Sequence, residues 1–289
     1  MSQHDILSSK LDFYLCLARA FAIPDSADAL PLLREALPAD LAELAPTCGY
    51  PIDGALHAYR QTMAKVIDHE QLRVAYSRLF LVPGEPHPNL NTGAYLDGTL
   101  NGGSVTALET CYRRCGLERD RDFHDLPDHI SVQLEFVARL FAAEAQALEA
   151  GTARPPIAVD EFLARFVARW IGPLHAEIEE ASRRFRLSEH PYLALTEILR
   201  QAIVAEVGLD DTAVHPDPGP DPEIARLRSQ YAGRTLNEAD LAIIRQRLAA
   251  DGLPTDHVAI PIDERDRTMG LATMTPPAPP NRRLASRQP

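Results

Sequence analysis

Apolar residues recur at helical spacing along most of the first 208 positions, and their stripes predict the elements. Over residues 5–22, Ile6, Leu7, Leu11, Tyr14, Leu15, Ala18 and Phe21 share one broad face, and Pro24 ends the run. Short helices are expected around 28–37 and 39–45, with Pro31 in the first turn of the former, where its missing N–H does little harm. Residues 52–81 are periodic throughout, but that is long for one globular helix. Asp68-His-Glu-Gln71 reads as a capping box and divides the segment there. The first piece then buries Leu56, Tyr59, Met63 and Val66, the second Leu72, Tyr76, Leu79 and Phe80.

The period vanishes over residues 83–104, PGEPHPNLNTGAYLDGTLNGGS, which reads as a loop. Loops longer than about 12–15 residues are uncommon in compact domains and are often functional. A helix over 105–115 follows, with Ser104 or Thr106 as N-cap and Gly116 just past its end. The next is expected from Asp128 to Ala150, closed by Gly151, with Ile130, Leu134, Val137, Phe141 and Leu148 on its apolar face. Phe162, Leu163, Phe166, Val167 and Trp170 mark a helix over 160–171, which Pro173 interrupts or kinks before the pattern runs on to 182. A last core helix covers 190–207, capped by Ser188 and closed by Gly208. No run alternates with the period of a strand, so the expected class is all-α, with residues 1–208 as one helical domain.

Beyond Gly208 the composition shifts. Residues 209–234 read as a Pro/Asp-rich linker around HPDPGPDP. Residues 235–252 read as one amphipathic helix, opened by a Thr235 to Glu238 capping box and carrying Leu241, Ile244 and Leu248 on one face. Residues 253–289 are polar and Pro-rich and are expected to be disordered.

Charge narrows the choice of partner. The formal net charge is −12, which argues against nucleic acid, because that binding rests on Lys and Arg neutralising phosphates. It suits a cationic partner. Cysteine adds little: Cys16, Cys48, Cys111 and Cys115 are expected to be reduced thiols, since MSQHDILSSK lacks the basic start and apolar core of an export signal. No apolar stretch reaches the ~18 residues of a membrane span. The expected setting is the cytoplasm.

Three kinds of chemistry can be weighed. Cys111-x3-Cys115 with His124-x4-His129 faintly resembles a zinc finger, but eight residues separate the pairs where about twelve are usual. Two neighbouring thiols on one helix turn explain the cysteines more simply. A hydrolase built on His124, Asp128 and His129 lacks GxSxG and HExxH. Gly98, Gly102 and Gly103 precede a helix start that could receive an anion, yet ordinary turn chemistry accounts for them. Asp128 taken alone is an N-cap worth ~1 kcal/mol. His129 fits less well, because an imidazolium is unfavourable at a helix N-terminus. The ring must stay neutral, or a carboxylate such as Asp125 or a ligand must compensate.

An ordered set of motifs goes further: Tyr76-Ser-Arg-Leu79-Phe80, a Pro/Gly loop, Gly93-Ala-Tyr95-Leu, Gly103-Ser104, Tyr112, Gly116, Pro127-Asp128-His129 and Glu135-Phe136. In this order and spacing they resemble the TorD/DmsD family of redox-enzyme maturation chaperones, over roughly residues 8–207. The resemblance implies an all-helical, non-catalytic protein without a resident cofactor; transient contact with molybdenum cofactor or a nucleotide stays open. The implied partner is the apo-form of a molybdoenzyme catalytic subunit, met through its twin-arginine signal peptide. It also implies a monomer or a domain-swapped dimer. Carried over position by position, the signal-peptide site would comprise Tyr76, Leu79, Phe80, Pro86, Tyr95, Asp128 and His129. Tyr76 and Tyr95 stand where some relatives carry Trp.

The physics of such a ligand agrees. Two guanidiniums call for fixed carboxylates, which they engage bidentately. Asp128 is the first candidate, with Glu85 and Asp97 on the loop behind it. Burying ~10 apolar side chains of a peptide at ~1.5 kcal/mol each gives ~15 kcal/mol gross. Ordering the peptide and losing its free motion remove about half, leaving roughly micromolar affinity. Two other classes stay open: an adaptor or assembly subunit acting through the 235–252 helix, and a metal-dependent enzyme.

Overall fold

The computed structural model describes residues 2–81, 88–99, 102–117, 126–187 and 189–208. All belong to the first of the chain's two units, Met1–Gln230. The linker, the 235–252 helix and the 253–289 tail expected from sequence lie outside the described residues, as do Glu85, Pro86, His124, Asp125 and Ser188. Among the described residues no strand forms, and the fold is all-α.

The chain opens with α1 (Gln3–Ala20), earlier than the apolar stripe suggested. Ser2 is the cap: its hydroxyl accepts from Asp5 N–H, and the Asp5 carboxylate accepts from Ser2 N–H at 2.8 Å. Then come α2 (Ala29–Pro31), π1 (Leu32–Ala36) and α3 (Leu37–Cys48), one continuous run where two helices were expected. The wide turn π1 ends just before Pro38, whose missing N–H breaks the regular ladder anyway.

Asp68 does divide the next segment, into α4 (Asp53–Met63) and α5 (His69–Tyr76), which runs on as π2 (Ser77–Leu81). Asp68 accepts from Gln71 N–H at 2.8 Å, while the Gln71 side chain reaches back one residue further, to Ile67 N–H. The expected loop over 83–104 is not structureless: it holds the short helix α6 (Thr92–Leu96). Then α7 (Gly103–Arg114) begins, with Gly102 as N-cap in place of Ser104 or Thr106.

The long α8 (Ile130–Ala150) ends at Gly151, whose φ of +64° supplies the left-handed turn. Leu148, expected on its buried face, is 48% exposed. After α9 (Val159–Phe162) and π3 (Leu163–Val167), α10 (Ala168–Phe185) passes through Pro173 unbroken. Trp170, Ile171, Leu174 and Ile178 are all fully buried on either side of Pro173. Their burial, at about 1.5–3 kcal/mol per side chain, outweighs the ~3 kcal/mol penalty of one internal proline. Finally α11 (Tyr192–Val207) closes the domain, starting two residues later than expected.

The core gathers where α1 lies along α8 and α3, and where α11 packs on α10 and α4. Phe13, Tyr14, Leu17, Leu134, Phe141, Phe166 and Trp170 fill it. A largely buried ion pair pins the first helix to the last: Lys10 Nζ lies 2.5 Å from Glu206, which also accepts from the Tyr50 hydroxyl. Lys10 in addition sits over the rings of Tyr50 and Phe141. The short α6 packs on α7 and α10, and this places it beside the Asp128–His129 corner.

Candidate functional site

The start of α8 differs from expectation by one residue, with consequences for the whole site. His129, not Asp128, is the N-cap: its Nδ1 accepts from Ser131 N–H at 3.3 Å, and its carbonyl accepts the first helical bond from Gln133. An accepting Nδ1 carries no proton, so the imidazole is neutral and the clash of a cation with the helix N-terminus does not arise.

Asp128 is thereby released from capping. It is fully shielded from solvent. Its Oδ2 accepts from Gly93 N–H at 2.8 Å and its Oδ1 from Asn91 Nδ2 at 3.1 Å. Burial raises its pKa from the usual aspartate value, and the Gly93 and Asn91 donors offset only part of that.

The main chain joins the same network. Thr92 N–H donates to Asp128 O, Ile130 N–H donates to Leu90 O at 2.8 Å, and Asn91 and His129 form an isolated antiparallel bridge. Gln133, fully buried in the first turn of α8, donates from Nε2 to both Asp128 O and Thr92 Oγ1, at 2.7 Å each. Residues 90–93 are thus stitched to 128–133 along one short edge. The signal for Gln133 was present in the sequence: a polar residue on the stripe of Ile130, Leu134 and Val137.

Two further ties hold α6. Tyr95 stacks on Trp170 of α10, centroids 5.3 Å apart and planes 14° from parallel. Its hydroxyl donates to Glu177 at 2.7 Å and accepts from Asn89 N–H at 3.0 Å. Asp97 caps α7 from outside that helix, its Oδ2 accepting from Ser104 N–H at 2.9 Å and from the Ser104 hydroxyl. A side chain at Gly102 would collide with that carboxylate, its Cβ falling 2.2 Å from it. Asp97, a candidate for a guest arginine, is thus engaged at a helix N-terminus.

The remaining sequence candidates lie inward. Tyr76, Leu79 and Phe80 are buried, and the rings of Tyr76 and Phe80 meet each other and Tyr192 edge to face. The Tyr76 hydroxyl reaches Phe21 O at 3.5 Å. Tyr95 is half-buried, and Asp128 and His129 are buried. The structure therefore brings Tyr95, Asp128 and His129 together around α6, with Tyr76, Leu79 and Phe80 in the packing at the end of π2. Pro86 lies outside the described residues.

The arrangement offers acceptors, an aromatic stack and a held loop. Among the described residues no group of three or more His, Cys, Asp or Glu could hold a metal ion. The Cys16 and Cys48 thiols are pushed up by burial to about 11 and about 12, away from nucleophilic use at neutral pH. No helix among the described residues is long and apolar enough to cross a membrane.

Comparison with known proteins decides the lineage. The family described as nitrate reductase delta subunit matches residues 30–176, just over half of the chain. The chain belongs to this family. The family is of the TorD/DmsD type, and its members mature redox enzymes of the molybdoenzyme class without being catalysts; this chain is accordingly a maturation chaperone and not an enzyme. The matched stretch runs from α2 into α10 and encloses every candidate site residue, while α1 and α11 fall outside it. No curated protein matches the chain significantly. Among solved structures, a candidate redox enzyme maturation protein from Archaeoglobus fulgidus is 21% identical, with 66% of this chain and 91% of that chain covered at a TM-score of 0.39. The assignment rests on the family match and not on this distant likeness.

Proposed function

We propose that this delta-family chain is a cytoplasmic chaperone that binds the twin-arginine signal peptide of a molybdenum-cofactor oxidoreductase subunit. In this reading it assists cofactor insertion and withholds the apoenzyme from export until insertion is complete. The observation that carries the reading is the family match over residues 30–176, which spans Tyr76, Leu79, Phe80, Pro86, Tyr95, Asp128 and His129 together. The chemistry is compatible. A net charge of −12 favours a dicationic guest. The stretch 88–99, held between α7, α8 and α10, presents half-buried Ala94, Tyr95 and Leu96 and exposed Gly98 and Thr99. A guest peptide would lie along this stretch and the end of π2, with Tyr76, Leu79 and Phe80 shaping the floor from beneath.

The test is calorimetric titration of the full chain with a synthetic peptide bearing two adjacent arginines before a Leu/Ala-rich stretch. A second peptide with two lysines is the control. Micromolar binding of the first and at least tenfold weaker binding of the second is expected, since only the guanidinium forks carboxylates bidentately. Equal affinities, or none, would refute the reading.

A further inference from the structure

A guest guanidinium must approach a carboxylate edge at hydrogen-bond distance. Asp128 offers no such edge: it is fully buried, and each oxygen already accepts a bond, from Asn91 Nδ2 and from Gly93 N–H. To reach it, an arginine would have to displace Asn91 or the backbone of α6 itself. What the carboxylate does do is visible in the geometry. It is the side-chain part of the edge that joins residues 90–93 to 128–133, with Thr92 N–H and Gln133 Nε2 both donating to Asp128 O beside it.

The choice of residue fits that task. Two donors, an amide NH2 and a backbone N–H, converge on position 128 from the same segment. An acceptor-only group with two oxygens satisfies both, whereas an asparagine would turn an NH2 toward one of them. Gly93 is fitted to the same contact, since a Cβ there would lie 2.6 Å from Thr99 O and 3.2 Å from Asp128 Oδ2.

We infer that Asp128 serves the signal-peptide site as a positioning residue: its carboxylate latches residues 89–97 onto the N-terminus of α8 and does not itself touch the guest. The inference rests on the signal-peptide reading above and assigns the contact surface to the outward side of the latched segment, around Tyr95, and not to Asp128.

The experiment is a donor–acceptor swap in the full chain. Asp128→Asn replaces the charged acceptor by a neutral amide that meets Asn91 only if the Asn91 amide turns round, and Asn91→Asp leaves two carboxylates facing each other. The double variant Asn91→Asp/Asp128→Asn restores one donor and one acceptor, keeps the net charge, and moves the carboxylate to the half-exposed position 91. Each single variant is expected to bind the twin-arginine peptide at least tenfold more weakly and to exchange the amides of residues 89–97 faster, with α1, α8 and α11 unchanged. The double variant is expected to return to within threefold of wild-type affinity and to wild-type exchange.

Should Asp128→Asn fail to fold, Asn91→Ala deletes one latch bond and is expected to loosen the same residues and weaken the peptide at least threefold. A double variant that recovers exchange but not affinity overturns the inference, because the guest then needs the carboxylate at 128 itself. Lost affinity with unchanged exchange in 89–97 overturns it too. A wild-type chain that ignores the peptide sinks the signal-peptide reading instead, while the exchange measurements, which need no peptide, still decide whether Asp128 holds the segment.

Discussion

His190, in the connection from α10 to α11, shows how one buried side chain makes the fold pH-sensitive. The Ser182 hydroxyl donates to Ile178 O, so at 2.7 Å it accepts from His190 Nε2–H. Burial lowers the imidazole's pKa from 6.5 to about 4. Between those values the unfolded chain binds a proton that the folded chain refuses. Stability is therefore complete above pH 6.5 and lost as pH falls toward 4, by roughly 3 kcal/mol in all. His190→Gln, which keeps a donor toward Ser182, should flatten this dependence. Urea denaturation at pH 7, 6 and 5 should show the wild type's advantage over the variant shrinking at each step; a constant difference would refute the assignment. At the same scale, the Asp128–His129 pair was legible as a helix start but not in its division of labour. Sequence favours Asp over His as a cap, and only the fold brings Asn91 and Gly93, 35 or more residues upstream, to the carboxylate.

Among the elements, α6 has the weakest intrinsic claim to helix and the strongest dependence on its neighbours. It is five residues long, starts without a side-chain cap and sits in a Gly/Asn-rich stretch, so no period announced it. It forms because Trp170 and Glu177 on α10 and Asp128 just ahead of α8 fix it. Gly93→Ala should accordingly act through the element. The added methyl meets Thr99 O at 2.6 Å and must push α6 off the edge of α8, a strain of about 1–3 kcal/mol. The expected outcome is a lower denaturation midpoint with residues 89–99 losing amide protection first; an unchanged midpoint would contradict the packing described. The long helices behave differently. Their stripes and their glycine stops at 116, 151 and 208 could be read directly, since local spacing sets both. The π turns before Pro38, after Tyr76 and after Phe162 could not, because an extra residue in a turn is chosen by tertiary packing.

For the molecule as a whole, the all-α class followed from periodicity and the family from an ordered set of motifs. The depth of the site residues did not, since Tyr76, Leu79 and Phe80 look the same in sequence whether they line a groove or fill a core. The proposed function makes one claim across these scales: that the maturation chaperone would receive a twin-arginine peptide on the stretch 88–99, which α8 and α10 hold from behind. Amide hydrogen exchange of the full chain, with and without the twin-arginine peptide, tests that claim most directly. The account predicts added protection at residues 88–99 and around π2, with none from the two-lysine peptide at equal concentration. Protection confined to other surfaces, or identical maps with the two peptides, would contradict it.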